Sequence, residues 1–421
     1  MVYPKFEFNK INEKGNIMKK QIYQSMTNSF KVNRRNFLKV SGAASAGLVL
    51  GTPTPWAQDA QKQEKPERPK TNVDEVLKIP RTKYSLPGAF PGKVVEIHNP
   101  QAMTEEKVDA QIVKQIFQAG IQKLTDKNLK KSFNQFFEKD DVVGIKVNPV
   151  GPGLISTRLE LVDAIIDWLA ENGIKRENII IWDRFDYMLT DAGFTPERYP
   201  GIGIEGLQTM DESAASGESN DDSKWLKPDG THVSADNFDM DVYYWADVEG
   251  PKDKPYLNQH VFNGKYSYYG KLLTKKLTKI INVPVFKNTG NGISMATKNL
   301  GYGAICNTNR LHRPLFFDVC TEVLAFPVIR DKLVLNVTDG LRGQYDGGPM
   351  PTAKFTYDYR TLFFATDPFA LDRICHDIMV AKRKSMDIKV NEHPRYTDYL
   401  RYAERLGLGV AEPNKIEHIR V

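Results

Sequence analysis

The sequence predicts an α/β fold with a mainly parallel, doubly wound sheet, helices on both of its faces and an inserted cap region. Short apolar runs rich in β-branched residues alternate with amphipathic helical patterns along most of the chain. The clearest unit is a strand at 142–147, a helix around 161–169 and a strand at 179–182. Its lengths are those of a βαβ unit, which makes the two strands parallel. The alternation breaks down between about 195 and 269, which indicates the inserted cap.

The other elements follow in order, each marked by apolar periodicity and by residues that begin or end helices. Thr104 is placed to cap the first helix, Gly173 and Gly407 stand where helices would stop, and Pro314 and Pro368 are tolerated in first turns. The predicted strands are 93–97, 280–285, 333–337 and 362–365, and the predicted helices are 104–117, 128–137, 314–324, 368–381 and 396–406.

The first 57 residues resemble a twin-arginine export signal. Arg34 and Arg35 form the pair, 37–39 continue the pattern as Phe-Leu-Lys, and a weakly apolar run at 40–50 is too short to span a bilayer comfortably. Residues 58–86 are polar and rich in Pro, Lys and Glu, which predicts a flexible linker, and 87–421 form the α/β domain. We therefore expect export by the Tat machinery, a periplasmic or otherwise exported location, and no stable membrane anchor.

Charge and cysteine content exclude two classes of function. Residues 1–57 carry nine Lys and Arg against two Glu, or +7, so a whole-chain charge of +6 leaves −1 for the remainder. This balance gives no electrostatic reason to expect nucleic-acid binding. Cys306, Cys320 and Cys375 are widely spaced without a CxxC pair, so cysteine alone builds neither a zinc ribbon nor a ferredoxin-type cluster.

A polar residue follows each predicted strand. In a parallel sheet all carboxyl ends lie at one edge, and open α/β sheets bind ligands in the crevice there. Three of these positions have other interpretations, because Asp367 could simply cap a helix, Asp339-Gly340 could be a turn, and Asp183-Arg184 could be a surface pair. The residues are His98, Asn148, Asp183, Lys287 with Asn288, Asp339 and Asp367.

The richest stretch is 279–312, where an apolar strand leads into a segment dense in Lys, Asn, Thr and Gly. Its cationic and amide donors suit carboxylate or phosphate oxygens. His312 could act as an acid/base or metal ligand, or only order its loop. Lys146 alternates with apolar neighbours inside a strand that should be covered on both sides, which favours a role in a site or an ion pair. We predict that substrate is bound by Lys146, Asn148, Lys287, Lys298 and Asn299, and that His312 and Asp339 are catalytic; no metal ligand is assigned.

Several segments together resemble the family called domain of unknown function 362. The resemblance implies the fold and the region of the site, but the family's name leaves its activity open. Many members carry ferredoxin-like iron–sulfur motifs, and the cysteines of those motifs are missing here, so a built-in cluster is not expected. The segments are Asp141–Asn148, Ile281–Lys287, Lys298–Gly301, Asn336–Gly340 with Gly347–Pro349, and Asp367–Asp372.

Three functions remain open, and the sequence does not decide whether the protein is an enzyme. The first is an exported enzyme that binds a small anionic substrate at the carboxyl edge of the sheet, with a metal or cofactor as an option. The second is a non-catalytic metal- or cofactor-binding accessory protein of a periplasmic redox system, with His312, Asp339, Asp183 and His98 as ligands. The third is a solute- or glycan-binding protein that uses Tyr243, Tyr244, Trp245, Tyr268 and Tyr269.

Overall fold

A mixed sheet of mostly parallel strands lies at the centre of the computed structural model. The structure describes residues 68–210, 223–248, 261–262, 264–312 and 315–421. The predicted signal peptide and the first ten residues of the predicted linker therefore lie outside the described residues. The strands, in chain order, are β1 Lys93–His98, β2 Met103–Thr104, β3 Lys107–Val108, β4 Val143–Lys146, β5 Ile179–Phe185, β6 Gly203–Gln208, β7 Phe238–Trp245, β8 Tyr266–Gly270, β9 Lys279–Asn282, β10 Val285–Thr289, β11 Gly292–Ile293, β12 Leu333–Gln344, β13 Thr356–Tyr357, β14 Thr361–Ala365 and β15 Glu417–Arg420.

The main path of the sheet runs β15-β1-β14-β12-β9-β4-β5-β6. Every neighbouring pair on this path is parallel except those of β14, which is antiparallel to both β1 and β12. After β9 the chain continues into β10, which pairs with the far part of β12. The predicted α/β class with a mainly parallel sheet is confirmed.

Helices cover both faces of the sheet. Successive strand residues point to opposite faces, so Ile281 and Phe364 enter one core while Ile280 and Phe363 pack on the other side. The first face is covered by α2, α3 and α4, and the second by α6, α7, α9 and α10. The helices are α1 Val73–Val76, α2 Ala110–Thr125, α3 Leu129–Phe136, α4 Leu159–Glu171, α5 Asp186–Asp191, α6 Ala296–Gly301, α7 Asp318–Leu324, α8 Pro327–Arg330, α9 Pro368–Ser385 and α10 Asp398–Arg405.

Three element boundaries differ from the predictions. The first helix begins at Ala110 and is capped by Asp109, because Thr104 lies instead in the small hairpin of β2 and β3. The helix expected from 314 begins at Asp318. The strand expected to end at Val337 continues to Gln344, so Asp339 is paired inside β12 and does not form a turn.

The prediction that Asp367 lies at the carboxyl edge of the parallel strands is wrong. It follows β14, whose antiparallel direction brings its carboxyl end to the opposite edge, beside the residue that precedes β1. The Asp367 carboxylate accepts hydrogen bonds from the backbone N–H groups of Phe369 and Ala370, both at 3.0 Å, and so caps α9. It also accepts from Gly92 and Val410, at 3.2 and 2.8 Å. The helix-cap interpretation therefore holds.

Two segments that the sequence separates from the core make defined contacts in the structure. In the predicted linker, the backbone N–H of Leu86 donates to the carbonyl of Arg330 at 2.8 Å. In the predicted insertion, β6 pairs in parallel with β5 as a strand of the main sheet. The rest of the described part of that segment includes the antiparallel hairpin of β7 and β8, where Tyr244 and Tyr269 are buried.

The order of the strands reverses between β4 and β9. From β4 the chain passes through α4 on one face to β5 and then to β6, all on one side of β4. It then returns to β9 on the other side of β4 and reaches β12 after α6 and α7, which cover the opposite face. Such a reversal opens a crevice at the carboxyl ends of the two strands, where α/β proteins bind ligands. Lys146 of β4 and Asn282 of β9 lie opposite each other at this point.

Candidate functional site

Lys146 lies at the carboxyl end of β4, and its ammonium group donates hydrogen bonds to three acceptors. The side chain is 1% exposed, and its Nζ donates to the Asp183 carboxylate, to the Val147 carbonyl at 2.8 Å and to Asn299 Oδ1 at 3.1 Å. Burial lowers the pKa of Lys146, and the charge of Asp183 opposes this shift. Lys146 and Asp183 therefore form a buried ion pair whose charges cancel.

Amide side chains connect this pair to a second lysine. Asn299 Oδ1 also accepts from Asn148 Nδ2 at 3.1 Å, and Asn148 Oδ1 accepts from Lys287 Nζ at 2.7 Å. Four of the five side chains predicted to bind substrate thus lie in one hydrogen-bonded chain, although they come from three separate segments. The chain begins at the carboxyl end of β4. We call it the switch-point cluster: Lys146, Asn148, Lys287 and Asn299, with Asp183 at one end and Lys298 beside it.

Two further asparagines, which sequence reasoning did not select, hold Asn299 in place. Asn282 Oδ1 accepts from Asn299 Nδ2 at 2.9 Å, and its Nδ2 donates to Asn336 Oδ1 at 2.9 Å. Both asparagines are fully buried, because they interrupt the apolar runs of β9 and β12. A polar residue inside such a run is a signal that could have identified them, since buried polar groups need partners.

Lys287 and Lys298 bring two further positive charges to the cluster. Burial, together with the charges of Lys298 and Lys146, lowers the pKa of Lys287 to about 7. The Lys298 side chain is partly exposed, but the surroundings of its ammonium group are buried enough to lower its pKa as well. That ammonium lies 5.6 Å from the ring centres of Tyr302 and Phe316. Within the described residues, no carboxylate forms an ion pair with either lysine.

Asp372 anchors the short helix α6, which carries Lys298 and Asn299. Its buried carboxylate accepts from the backbone N–H groups of Ala296 and Thr297 at 2.9 and 3.1 Å, and from the Thr297 hydroxyl at 2.5 Å. Burial raises the pKa of Asp372 to about 6, and these hydrogen bonds oppose the increase. Sequence reasoning missed this residue; the available signal was an acidic residue among the apolar positions of α9.

Gly303 is needed because the backbone passes close to the cluster. A Cβ at this position would lie 2.6 Å from Lys146 Cε and 2.2 Å from the Asn299 carbonyl oxygen, well inside van der Waals contact. Any side chain here would therefore displace the lysine or the helix end.

His312 lies next to Lys298 at the partly exposed side of the site. Its ring is 4.4 Å from that of Tyr302, and its Nδ1 is 3.0 Å from the Thr308 carbonyl oxygen. Only a protonated Nδ1 can donate to a carbonyl, so the neutral ring carries its lone pair on Nε2. Burial and the charge of Lys298 lower the pKa of His312 to about 4. At neutral pH the imidazole is therefore neutral, and its Nε2 can accept a hydrogen bond.

Asp339 has different neighbours. Its buried carboxylate accepts from the backbone N–H groups of Arg158 and Leu341, at 2.7 and 3.1 Å, and burial raises its pKa to about 6. The bond from Arg158 holds the end of the loop that joins Asn148 to α4. No hydrogen bond joins Asp339 to His312 within the described residues, so the structure does not present the two predicted catalytic residues as a pair.

The residues proposed for other functions have the following positions. Asp183 and Arg184 are both buried, which contradicts the surface-pair interpretation, and the Arg184 guanidinium donates to the Thr308 hydroxyl. His98 is exposed, and its Nδ1 lies 3.0 Å from the Tyr359 carbonyl. Across the described residues, no three His, Cys, Asp or Glu side chains are grouped to hold a metal ion.

The tyrosines of the cap take part in packing. The hydroxyl of Tyr244 donates to Glu322 at 2.6 Å, and that of Tyr269 donates to the Val323 carbonyl at 2.9 Å. Tyr243 packs edge-on against Tyr268, with ring centres 6.0 Å apart. The two buried rings are therefore not available to a sugar.

Comparison with known proteins agrees with the segments described above. A twin-arginine translocation pathway signal sequence matches residues 31–51, so the chain carries an export signal and is directed to the Tat machinery. None of the described helices is long and apolar enough to cross a membrane. No curated protein and no solved structure matches the chain. The family described as Domain of unknown function (DUF362) matches residues 143–377, more than half of the chain and the whole of the switch-point cluster. The chain therefore belongs to the family of domain of unknown function 362.

Proposed function

We propose that this exported protein binds a small anion at the switch-point cluster and that it is an enzyme acting on that anion. The observation that carries the proposal is the pair Lys287 and Lys298, two cations at the carboxyl edge of the sheet that form no ion pair within the described residues. Burying uncompensated charge is costly, and the pKa of Lys287 is already lowered for this reason. A bound carboxylate or phosphate would supply the missing negative charge.

The surrounding groups suit this role. Asn148 and Asn299 hold the lysines by hydrogen bonds without neutralising them, so the cluster keeps a positive charge for a ligand. Asn148, Lys298 and His312 are partly exposed, which provides access from solvent. His312 supports the enzymatic part of the proposal, because its neutral imidazole carries a lone pair on Nε2 beside the cation that would hold the anion.

Calorimetric titration with inorganic phosphate and with malonate, at constant ionic strength, tests the proposal. Lys298→Met should weaken binding at least about 30-fold, since loss of one partner of a buried charge pair costs about 2 kcal/mol or more. Asn148→Asp should weaken it at least about tenfold, because the new carboxylate would pair with Lys287 in place of the ligand.

Lys279→Met is the matched control. Lys279 is also buried but forms an ion pair with Asp141 at 3.2 Å, at the start of β9 and therefore at the opposite edge of the sheet. The folded control variant should bind both anions as the wild type does. Equal loss of affinity in all three variants, or no binding of either anion by the wild type, would contradict the proposed site.

A further inference from the structure

Lys287 differs from the other lysines buried in the sheet. Lys146 donates to Asp183 and Lys279 to Asp141, so each of these ammonium groups has a carboxylate partner. Lys287 is equally buried, at 1% exposure, but donates to the neutral amide oxygen of Asn148. Its side chain therefore loses hydration without gaining a carboxylate in direct contact.

The neighbouring charges strengthen this difference. Burial and the like charges of Lys298 and Lys146 outweigh the opposing charge of Asp183 and bring the pKa of Lys287 to about 7. With its pKa lowered towards neutrality, Lys287 is more readily a neutral amine with a lone pair than an ordinary lysine is. A desolvated lysine next to other cations is the arrangement that makes an amine nucleophilic in proteins.

The geometry also restricts the ligand. Lys298 adjoins Asn299, which Asn148 joins to Lys287 by hydrogen bonds. The Lys298 ammonium and the His312 ring both lie against the Tyr302 ring, on the partly exposed side of the cluster. An anionic group held by Lys298 would therefore leave the adjoining atom of the same small molecule near Lys287. In a 2-oxo acid that adjoining atom is a carbonyl carbon, which is the electrophile that an amine attacks.

We propose that Lys287 forms an imine with the carbonyl carbon of a small 2-oxo acid whose carboxylate is held by Lys298. The inference rests on the proposed anion site. The Nζ lone pair forms a bond to the carbonyl carbon while the C–O π electrons move to oxygen. The two Nζ protons leave with that oxygen as water, and a C=N bond remains. Asn148 Oδ1 accepts one Nζ–H, so the lone pair of the neutral amine points away from Asn148.

Borohydride trapping tests this inference on the folded protein. The wild type is incubated with pyruvate, oxaloacetate or 2-oxoglutarate, reduced with sodium borohydride, and analysed by intact mass and by peptide mapping. We expect one adduct per chain with at least one of the acids, located on Lys287. Lys287→Met should lower the adduct at least tenfold, and Lys279→Met should leave it unchanged.

The controls separate the two proposals. If the wild type binds malonate but yields no adduct with any of the acids, the imine is refuted and the anion site stands. If neither an adduct nor anion binding is found, both proposals fail. Adducts spread over exposed lysines, and equally abundant in Lys287→Met, would refute the imine as well. Peptide mapping of the wild type keeps the test decisive even if the Lys287 variant does not fold.

Discussion

Replacing Lys287 with methionine tests the electrostatics of the site through protein stability. The pKa of Lys287 falls from 10.5 to about 7 on folding, because burial and two neighbouring cations disfavour the charged form. Between these two pH values the unfolded chain binds the proton more tightly than the folded protein does. The free energy of unfolding of the wild type therefore decreases as pH falls from about 10.5 to about 7, and no further change from this group follows below that.

The size of the effect follows from the two pKa values. At about 1.4 kcal/mol for each tenfold difference in proton affinity, the penalty is about 4 kcal/mol at pH 7 and about 1 kcal/mol at pH 10. Methionine removes the penalty but leaves Asn148 Oδ1 without its donor, which costs about 1 kcal/mol. Lys287→Met should therefore be about 3 kcal/mol more stable than the wild type at pH 7, and about equally stable at pH 10.

Urea unfolding followed by tryptophan fluorescence, in buffers without multivalent anions and at fixed ionic strength, measures this difference. Lys279→Met serves as the control, because it breaks the ion pair with Asp141 and should lower stability at pH 7 by about 3 kcal/mol. A stability difference between the Lys287 variant and the wild type that is the same at pH 7 and pH 10 would refute the reasoning. So would a variant less stable than the wild type at pH 7.

Three further predictions concern groups around the cluster. Asp372→Asn should lower the free energy of unfolding by about 2–4 kcal/mol and weaken phosphate binding, because an amide cannot accept all the hydrogen bonds from Ala296 and Thr297; urea unfolding and calorimetry measure the two effects. Gly303→Ala should destabilise by about 1–3 kcal/mol in the same unfolding assay, since the added methyl group overlaps Lys146 Cε. Between pH 6.5 and about pH 4 the unfolded chain protonates His312 before the folded protein does, so the wild type loses stability there. In His312→Gln this loss of unfolding free energy should be about 2–3 kcal/mol smaller, which acid titration followed by circular dichroism checks.

The position of the site could be predicted because it depends on local patterns. Lys146 lies in an apolar strand and Lys287 follows one, and in a parallel sheet both strand ends reach the same edge. Asp367 looks the same in the sequence, with a strand before it and a helix after it. It lies at the other edge because β14 is antiparallel to β12 and to β1, and β1 is far from it in the chain. Strand direction follows from such long-range pairing, which local periodicity does not encode.

The partners of the supporting residues could not be predicted for a related reason. Asp372 follows Thr297 by 75 residues, and Asn336 follows Asn282 by 54. Each of these side chains is in the site only because tertiary packing brings two distant segments together. Sequence patterns show that a buried polar residue needs a partner, but not which residue that partner is.

The choice of amides over carboxylates explains how the cluster can be both buried and positively charged. Asn148, Asn299 and Asn282 give the lysines and one another hydrogen-bond partners, so few polar atoms are left unsatisfied. Aspartates at these positions would give equal or stronger hydrogen bonds, as Asp183 does for Lys146, but each would cancel one positive charge. Asp183 thus neutralises Lys146, whereas Asn148 only positions Lys287. The free energy that Lys287 loses by burial without a counter-charge is the free energy that an anion binding at this edge would restore.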